Sequence, residues 1–246
     1  MNIRDIYDNP CFIINLDRCP ERLNLAKQRV RAAGFKDIYR ITAVDAKNQG
    51  SLDAGWRDHG FPKFDSNDKE FLTYPGKQGC FLSHINLLRH IILKKIKITT
   101  VFEDDVQFHK NWNELAPQYY NNTPSDYEIL YLGSQIDAPL ESLEKLHIIR
   151  APVFCTHAYV ITLEGAKKLY NLLLNSPLGV KTIDCLIIDM MKVHMHFQTD
   201  IPFNWYVWNG RPFKDPIADI DPDWAKRNSG LVFQDPQFES DVRIWK

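Results

Sequence analysis

The first 46 residues alternate between a strand pattern and a helix pattern. The apolar run CFIINL at 11–16 predicts a buried strand, and DIYRITAVDA at 37–46 predicts a second one. Between them, a helical pattern begins at Pro20 and stops at Gly34. A strand, a helix and a strand within about 35 residues form a βαβ unit, whose two strands run parallel. The chain is therefore expected to fold as an α/β protein.

The same alternation continues through the rest of the chain. Helices are predicted at 76–96, 164–175 and 183–193, and strands at 98–106, 126–134 and 155–163. Residues 47–75 show no period and predict a long loop or a small insertion, while the last fifty residues predict loop with short strands. No linker interrupts the 246 residues, so one domain over 1–246 is the economical prediction.

Charge and hydropathy exclude several partner classes. A formal net charge of −1 argues against a nucleic-acid partner. No apolar run approaches the ~20 residues that span a bilayer, so no transmembrane segment is expected, and only a peripheral membrane contact is left open. The polar start lacks the apolar core of a signal peptide, which predicts a cytoplasmic location. The five cysteines form no CxxC pair and are expected to be inert thiols.

The predicted strand 98–106 carries three consecutive acids, Glu103, Asp104 and Asp105. Ligands of open α/β sheets bind at the carboxyl ends of strands, where these acids fall. Alternation along a strand would place Glu103 and Asp105 on one side, where their repulsion calls for a cation. Oxygen ligands suit Mg²⁺, Mn²⁺ or Ca²⁺ rather than Zn²⁺. A solvated acidic turn is the alternative.

The chain contains no glycine-rich phosphate loop of either common pattern. If a nucleotide binds, its phosphates must therefore be held by a metal ion and by side chains. An acid–x–acid cluster supplies such a metal site.

Several segments, taken together, resemble glycosyltransferase family 25, which includes bacterial lipooligosaccharide galactosyltransferases and the collagen galactosyltransferases. The segments are IINLDRCPERL (13–23), YRITAVDA (39–46), GKQGCFLSH (76–84), TVFEDDV (100–106), THAYVITLEGAKKL (156–169), TIDCLI around Asp184 and, more loosely, FQDPQFESDV (233–242). They span nearly the whole chain.

The resemblance implies a GT-A-like fold, a Rossmann-type mixed sheet flanked by helices. It also implies a UDP-sugar donor, usually UDP-galactose, with Mn²⁺ or Mg²⁺ as cofactor and inversion at the anomeric carbon. The acceptor would be a glycan, a lipooligosaccharide or a glycoprotein. Residues 47–75 and 204–230 match less well, so acceptor specificity is expected there.

The predicted donor-site residues are polar side chains that follow the first two strands, open the long helix or match the family's closing segment. They are Asn15, Arg18, Arg22, Asp45, Gln78, Ser83, His84, Gln234 and Ser240. Arginine forks suit phosphate, and a helix N-terminus favours an anion. Gln234 and Ser240 rest on the resemblance alone. The alternatives are a surface role for Arg22, a turn role for Asp45 and a buried, satisfied His84.

Transfer with inversion needs a base that takes the proton of the acceptor hydroxyl. Asp184, at the start of an apolar helix, is the first candidate, with an N-terminal cap as its alternative role. His157 is the second candidate. His196, on a predicted strand, is expected to complete the metal shell of Glu103 and Asp105.

Three functions remain open. The first is a metal-dependent inverting glycosyltransferase. The second is a nucleotide-sugar phosphohydrolase, which would use the same acidic cluster without an acceptor. The third is a non-catalytic carbohydrate- or partner-binding domain on the same scaffold. The intact cluster argues against the third, because carboxylates left without a counter-charge are costly.

Overall fold

The computed structural model describes residues 2–59, 69–136, 147–176, 179–197, 203–209, 228–235 and 237–238. The strands are β1 Cys11–Asn15, β2 Ile38–Thr42, β3 Ile98–Glu103, β4 Val106–Phe108, β5 Ile129–Ile136, β6 Ile148–Ile149, β7 Val153–Thr162, β8 Trp205–Trp208, β9 Asn228–Gly230 and β10 Val232–Gln234. The helices are α1 Arg4–Tyr7, α2 Pro20–Ala32, α3 Gln49–Asp58, α4 Lys69–Thr73, α5 Pro75–Lys94, α6 Trp112–Asn122, α7 Leu163–Leu174 and α8 Ile183–Phe197.

One mixed sheet organises the molecule. Its strand order is β2-β1-β3-β7-β5-β8-β6, with β9 paired to β5. β1 runs parallel to β2 and β3, whereas β7 runs antiparallel to β3 and β5. The carboxyl ends of β1, β2 and β3 therefore share one edge. The predicted α/β class, a GT-A-like, Rossmann-type mixed sheet flanked by helices, is confirmed.

Both faces of the sheet are covered, and β1 shows why its sequence is apolar throughout. Phe12 and Ile14 belong to one buried cluster, which includes residues of α5, α7 and α8. Cys11 and Ile13 belong to the other, which includes residues of α2 and α6. A strand buried on both faces has no polar side to alternate with. Among the helices of the described ranges, none combines the length and apolar character of a membrane span.

Two predictions about secondary structure were wrong. The described part of 47–75 is not a loop, because it holds α3 and α4. Only Leu52 and Gly55 of α3 are buried, so its sequence shows too few apolar positions to reveal a period. His196 does not lie on a strand, because α8 continues to Phe197. The His196 side chain itself falls outside what the structure describes.

The predicted strand 98–106 also ends earlier than expected. β3 stops at Glu103, Asp104 and Asp105 form a turn, and β4 begins at Val106 in a separate two-stranded sheet with β10. The Asp105 carbonyl accepts a hydrogen bond from the Asp235 amide at 2.6 Å, which joins the turn to the end of β10. Strand alternation therefore does not decide where Asp105 points.

Gly133 of β5 offers a test of how the last strands dock. A Cβ there would lie 1.9 Å from the Val232 carbonyl oxygen and 2.6 Å from His157 Nε2. We expect Gly133→Ala to destabilise the fold by about 3 kcal/mol or more, because neither neighbour can move freely. Gly50→Ala is the control, since it meets only the Asn48 side chain. Chemical denaturation measures both, and equal unfolding free energies would contradict this packing.

Candidate active site

The carboxyl ends of β1, β2 and β3 open into a cavity of about 380 Å³. That volume lies within the range of small-molecule sites. The wall comes from the segments after β1 and β2, the first turns of α5 and the acidic turn after β3. Its polar and aromatic lining is Asn15, Arg18, Arg22, Asp45, Lys47, Tyr74, Cys80, Ser83, His84, Glu103, Asp104 and Asp105. Eight of the predicted site residues are thus brought together.

The acidic turn concentrates negative charge at the cavity wall. Asp104 and Asp105 are buried, and Glu103 is partly exposed. The guanidinium of Arg22 pairs with Asp104 and lies 3.6 Å from an oxygen of Asp105. The Asn15 amide donates to Asp104 Oδ2 at 2.6 Å. Arg22 therefore serves the acidic cluster and is not a surface residue, and its one positive charge is shared by two of the three carboxyl groups.

Burial and mutual repulsion change how these acids titrate. Burial, with the charge of Glu103, raises the pKa of Asp105 to about 8 even though Arg22 opposes the shift. Burial also raises the pKa of Asp104, against the pull of Arg22 and Asn15. Burial acts in the same direction on Glu103, but His84, His157 and Thr156 together outweigh it and lower the pKa of that carboxyl. At neutral pH the ligand-free cluster thus holds a proton on Asp105.

Two oxygen atoms on this wall have no hydrogen-bond donor among the described residues. They are Oδ1 of Asp105 and Oδ1 of Asn15, whose side chain is only 2% exposed. Buried acceptors normally have partners, so these atoms fit a ligand that supplies positive charge or a donor. Carboxylate and amide oxygens such as these, together with those of Glu103 on the same wall, are the ligand type that Mg²⁺ or Mn²⁺ prefers.

The start of α5 is locked against the segment after β2. A Cβ on Gly79 would lie 2.6 Å from the Val44 carbonyl oxygen, so only glycine allows this approach. Ser83 Oγ accepts from the Val44 amide at 2.8 Å and donates to the Gly79 carbonyl at 2.6 Å. Ser83 therefore positions the helix. Cys80 and His84, which lie before and after Ser83 on α5, both line the cavity.

The opposite side of the cavity carries an exposed ion pair. Arg18 Nε lies 3.1 Å from Asp45 Oδ2, which joins the segments after β1 and β2. Asp45 Oδ1 also accepts from the Lys47 amide at 3.0 Å, so the turn role considered for this residue is present too. Both side chains are about one-third exposed and can exchange this pairing for a ligand.

Two predicted donor-site residues lie elsewhere, and a third falls outside the described residues. Gln78 does not line the cavity, and its amide donates to the Phe71 carbonyl at 3.3 Å, which ties α4 to α5. Gln234 pairs with Val106 where β10 meets β4. Ser240 is outside the described residues.

The two candidate bases are engaged in backbone contacts. Asp184 lies in the first turn of α8, where Oδ1 accepts from the Cys185 amide at 2.8 Å and Oδ2 from the Cys155 amide at 3.2 Å. Cys155 has a φ of 72°, so this carboxylate anchors a strained residue of β7. His157 is buried, with Nε2 3.1 Å from the Val232 carbonyl oxygen. Neither side chain lines the cavity.

Four polar or aromatic residues of the cavity are not among the predicted site residues, and Lys47 is one of them. Asp104 was set aside because strand alternation pointed it away, and only the turn brings it to the wall. Cys80 had been treated as inert, although its spacing of four residues from His84 places both on one face of a helix. Tyr74 directly precedes α5, and a half-buried aromatic beside a proline gave no specific signal.

The family model and the curated relatives that match this chain agree on one family. Residues 8–151 match the model of glycosyltransferase family 25 (LPS biosynthesis protein). Procollagen galactosyltransferase 1 of Danio rerio is 32% identical over 179 residues, which cover 64% of this chain and 28% of that protein. A probable inactive glycosyltransferase 25 family member 3 of Bos taurus is 34% identical over 169 residues, with the same two shares, 64% and 28%.

Among solved structures, a glycosyltransferase involved in the glycosylation of the major capsid of PBCV-1 aligns with a TM-score of 0.48. It is 12% identical, and the alignment covers 94% of each chain. The present chain spans less than a third of the length of the curated relatives it matches.

The pKa of Asp105 predicts a pH-dependent stability. The pKa of Asp105 is about 8 in the folded chain, above the ordinary aspartate pKa near 4. Between about pH 4 and about pH 8 the folded chain therefore keeps a proton on Asp105 that the unfolded chain releases. Stability of the metal-free protein should fall as pH rises from about 4 to about 8. Asp105→Asn should remove this loss and be more stable by about 1–3 kcal/mol at pH 8.

Thermal melts in EDTA across this pH range measure the effect. Asp53→Asn is the control, because Asp53 is an exposed carboxylate of α3. If the melting temperatures of Asp105→Asn and Asp53→Asn change with pH in the same way as that of the wild type, the Asp105 carboxyl does not lower the stability of the fold at high pH.

Proposed function

Because the chain belongs to glycosyltransferase family 25, we propose that it transfers a hexose, with galactose as the first candidate, from a UDP-sugar to an acceptor hydroxyl in a reaction that depends on a divalent cation. The observation that carries the proposal is the cavity at the carboxyl edge of β1, β2 and β3, with its buried acids and unpartnered oxygens. A cavity of this chemistry suits a cation together with a diphosphate.

Glu103 and Asp105 are the residues proposed to hold Mn²⁺ or Mg²⁺, and the Asn15 carbonyl oxygen is available beside them. When bound, the ion neutralises the charge that grows on the leaving diphosphate. Asp105 gives up its proton when a cation is present, because a positive charge favours the ionised carboxyl. Arg22 keeps Asp104 and Asp105 in place by its contacts to both.

The nucleoside part of the donor is assigned to the other end of the cavity. Asp45 can accept from ribose hydroxyls once Arg18 releases it, and Arg18 then faces the phosphates. Tyr74 offers a ring on the cavity wall, and a flat base stacks well on such a surface. This assignment uses the side chains that are exposed enough to change partners.

Asp184 is proposed as the base that takes the acceptor proton. Each of its oxygens accepts one backbone hydrogen bond and keeps a second acceptor position. Its charge raises the pKa of Cys80 and of Tyr131, although burial is the larger cause for each. Cys80 lines the cavity, so this interaction supports a position of Asp184 near the proposed donor site. His157 remains the second candidate, although its contacts support a packing role.

The acceptor class is the least defined part of the proposal. The family description names lipopolysaccharide biosynthesis, and one group of relatives is named for procollagen. A sugar hydroxyl of a lipooligosaccharide and a hydroxylated polypeptide are therefore the two acceptors to compare. We retain the cytoplasm as the proposed compartment.

A second candidate is a binding domain without activity, because one relative is named as probably inactive. Radiolabelled nucleotide sugars offered with each acceptor, with and without Mn²⁺, separate the alternatives. Labelled acceptor supports transfer, and labelled free sugar alone supports the phosphohydrolase. Donor binding with neither product identifies the non-catalytic domain.

The variant Asp105→Asn should lose transfer by at least ~10²-fold and lose the tightening of UDP by Mn²⁺, because the cation loses one charged ligand. The same variant is expected to be more stable without metal, so lost activity cannot be attributed to unfolding. Calorimetry of UDP in Mn²⁺ and in EDTA measures the binding. Equal UDP affinity in both conditions, with full activity of the variant, would remove the metal from the proposal.

Asp184→Asn should lower turnover by ~10²–10⁴-fold with unchanged donor affinity, because the amide cannot accept a proton. It should also cost about 1–2 kcal/mol, since one backbone hydrogen bond at Cys155 or Cys185 is weakened. Asp189→Asn is the matched control on α8, where Asp189 pairs with Lys181 at 2.7 Å. A turnover loss below tenfold would leave Asp184 with its anchoring role alone.

A further inference from the structure

One group of side chains in the cavity has a different chemistry from the carboxylate set. A sulfur of Cys80, a ring nitrogen of His84 and a carboxylate oxygen of Glu103 all lie within 4.8 Å of one another. Cys80 and His84 are four residues apart on α5, and Glu103 ends β3. Their positions follow from the close contact of Gly79 with Val44, which holds that end of the helix against the sheet edge.

The His84 ring is oriented for coordination. Its Nδ1 lies 3.1 Å from the Tyr159 hydroxyl, so this nitrogen can donate its proton to that oxygen. Its Nε2 has no hydrogen-bond partner among the described residues and lies 3.5 Å from Glu103 Oε1, while the side chain is 1% exposed. In metal sites, a histidine held through its other ring nitrogen presents its lone pair to the ion in this way.

We propose that Cys80, His84 and Glu103 form a binding site for a thiophilic divalent cation, with Zn²⁺ as the best match. Sulfur, imidazole and carboxylate are the three ligand types that zinc accepts together. Three protein ligands leave a fourth position, which here faces the cavity. This site is separate in chemistry from the oxygen set of Asp105 and Asn15.

Zinc binding requires the Cys80 thiol to lose its proton. The Cys80 thiol releases its proton to solvent as the sulfur–zinc bond forms, while His84 binds through its neutral nitrogen and Glu103 as a carboxylate. Burial and the charges of Glu103 and Asp184 raise the pKa of Cys80, so the thiol stays protonated until an ion arrives. The negative charge of the acidic turn favours any cation that enters.

Glu103 belongs to both ligand sets, which gives the zinc site a regulatory consequence. An ion held by Cys80, His84 and Glu103 withdraws that carboxylate from the oxygen set. Zinc should therefore compete with Mn²⁺ and inhibit transfer, a consequence that rests on the proposed function. The binding of zinc itself does not depend on it.

Co²⁺ replaces zinc as a spectroscopic probe in the full chain. The wild type should bind one Co²⁺ with a sulfur-to-metal charge-transfer band in the near ultraviolet, and Zn²⁺ should displace it. Cys80→Ser should lose this band and bind Zn²⁺ at least ~10-fold more weakly. Cys19→Ser, which alters a partly exposed thiol outside the cavity lining, should match the wild type.

Two further measurements cover the case in which Cys80→Ser does not fold. Zn²⁺, but not Mg²⁺, should protect Cys80 of the wild type from alkylation, as read by peptide mass spectrometry. Tyr159→Phe keeps the ring but removes the contact to His84, and should weaken Zn²⁺ by ~10–100-fold. Co²⁺ binding without the sulfur band, or Cys80 alkylation unchanged by Zn²⁺, would overturn the site.

Electron paramagnetic resonance of Mn²⁺ separates this inference from the proposed function. Mn²⁺ bound to the wild type should return to the free signal as Zn²⁺ is added. If Mn²⁺ never binds while the cobalt band appears, the zinc site stands and the proposed function fails. If both ions bind together without displacement, the sharing of Glu103 is wrong.

Discussion

The end of β3 holds three carboxyl groups beside one guanidinium, that of Arg22, and much of the structure serves this arrangement. Asn15 at the end of β1 donates to Asp104, and Thr156 of β7 donates to Glu103 at 3.2 Å. Asp235, which directly follows β10, donates its backbone amide to the Asp105 carbonyl and so holds the end of β10 against the turn. Burial on this scale disfavours the charged forms, so the fold pays in stability for a site that the proposed cation would complete.

The sequence was sufficient to predict the main strands of the sheet and four of the eight described helices, because the buried strands are continuously apolar and α5, α7 and α8 carry long apolar stretches. It did not predict α3, whose few buried positions leave no visible period. The predicted strand continued past the end of β3 through Asp104 and Asp105, because Val106 resumes the apolar pattern. Only the pairing of β4 with β10 shows that Val106 belongs to another sheet.

The sequence predicted which residues line the cavity when those residues end or follow a strand. It predicted less well where contacts between distant segments determine what a side chain meets. Asn15, Asp45 and Glu103 end or follow parallel strands, so a common edge followed from topology. The roles of Gln78, His157 and Asp184 depended on what their polar atoms meet across the fold, and spacing carries no such information. Cys80 shows the same limit, because a single cysteine has no evident role until His84 and Glu103 are placed beside it.

The effect of Mn²⁺ on thermal stability tests most directly whether the buried acids exist to bind a cation. A ligand that binds only the folded chain stabilises it by about 2.7 kcal/mol at a hundred times its dissociation constant. Mn²⁺ should therefore raise the melting temperature of the wild type, and UDP should raise it further only when Mn²⁺ is present. A melting temperature unchanged by Mn²⁺, with UDP stabilising equally in EDTA, would contradict a cation at this site.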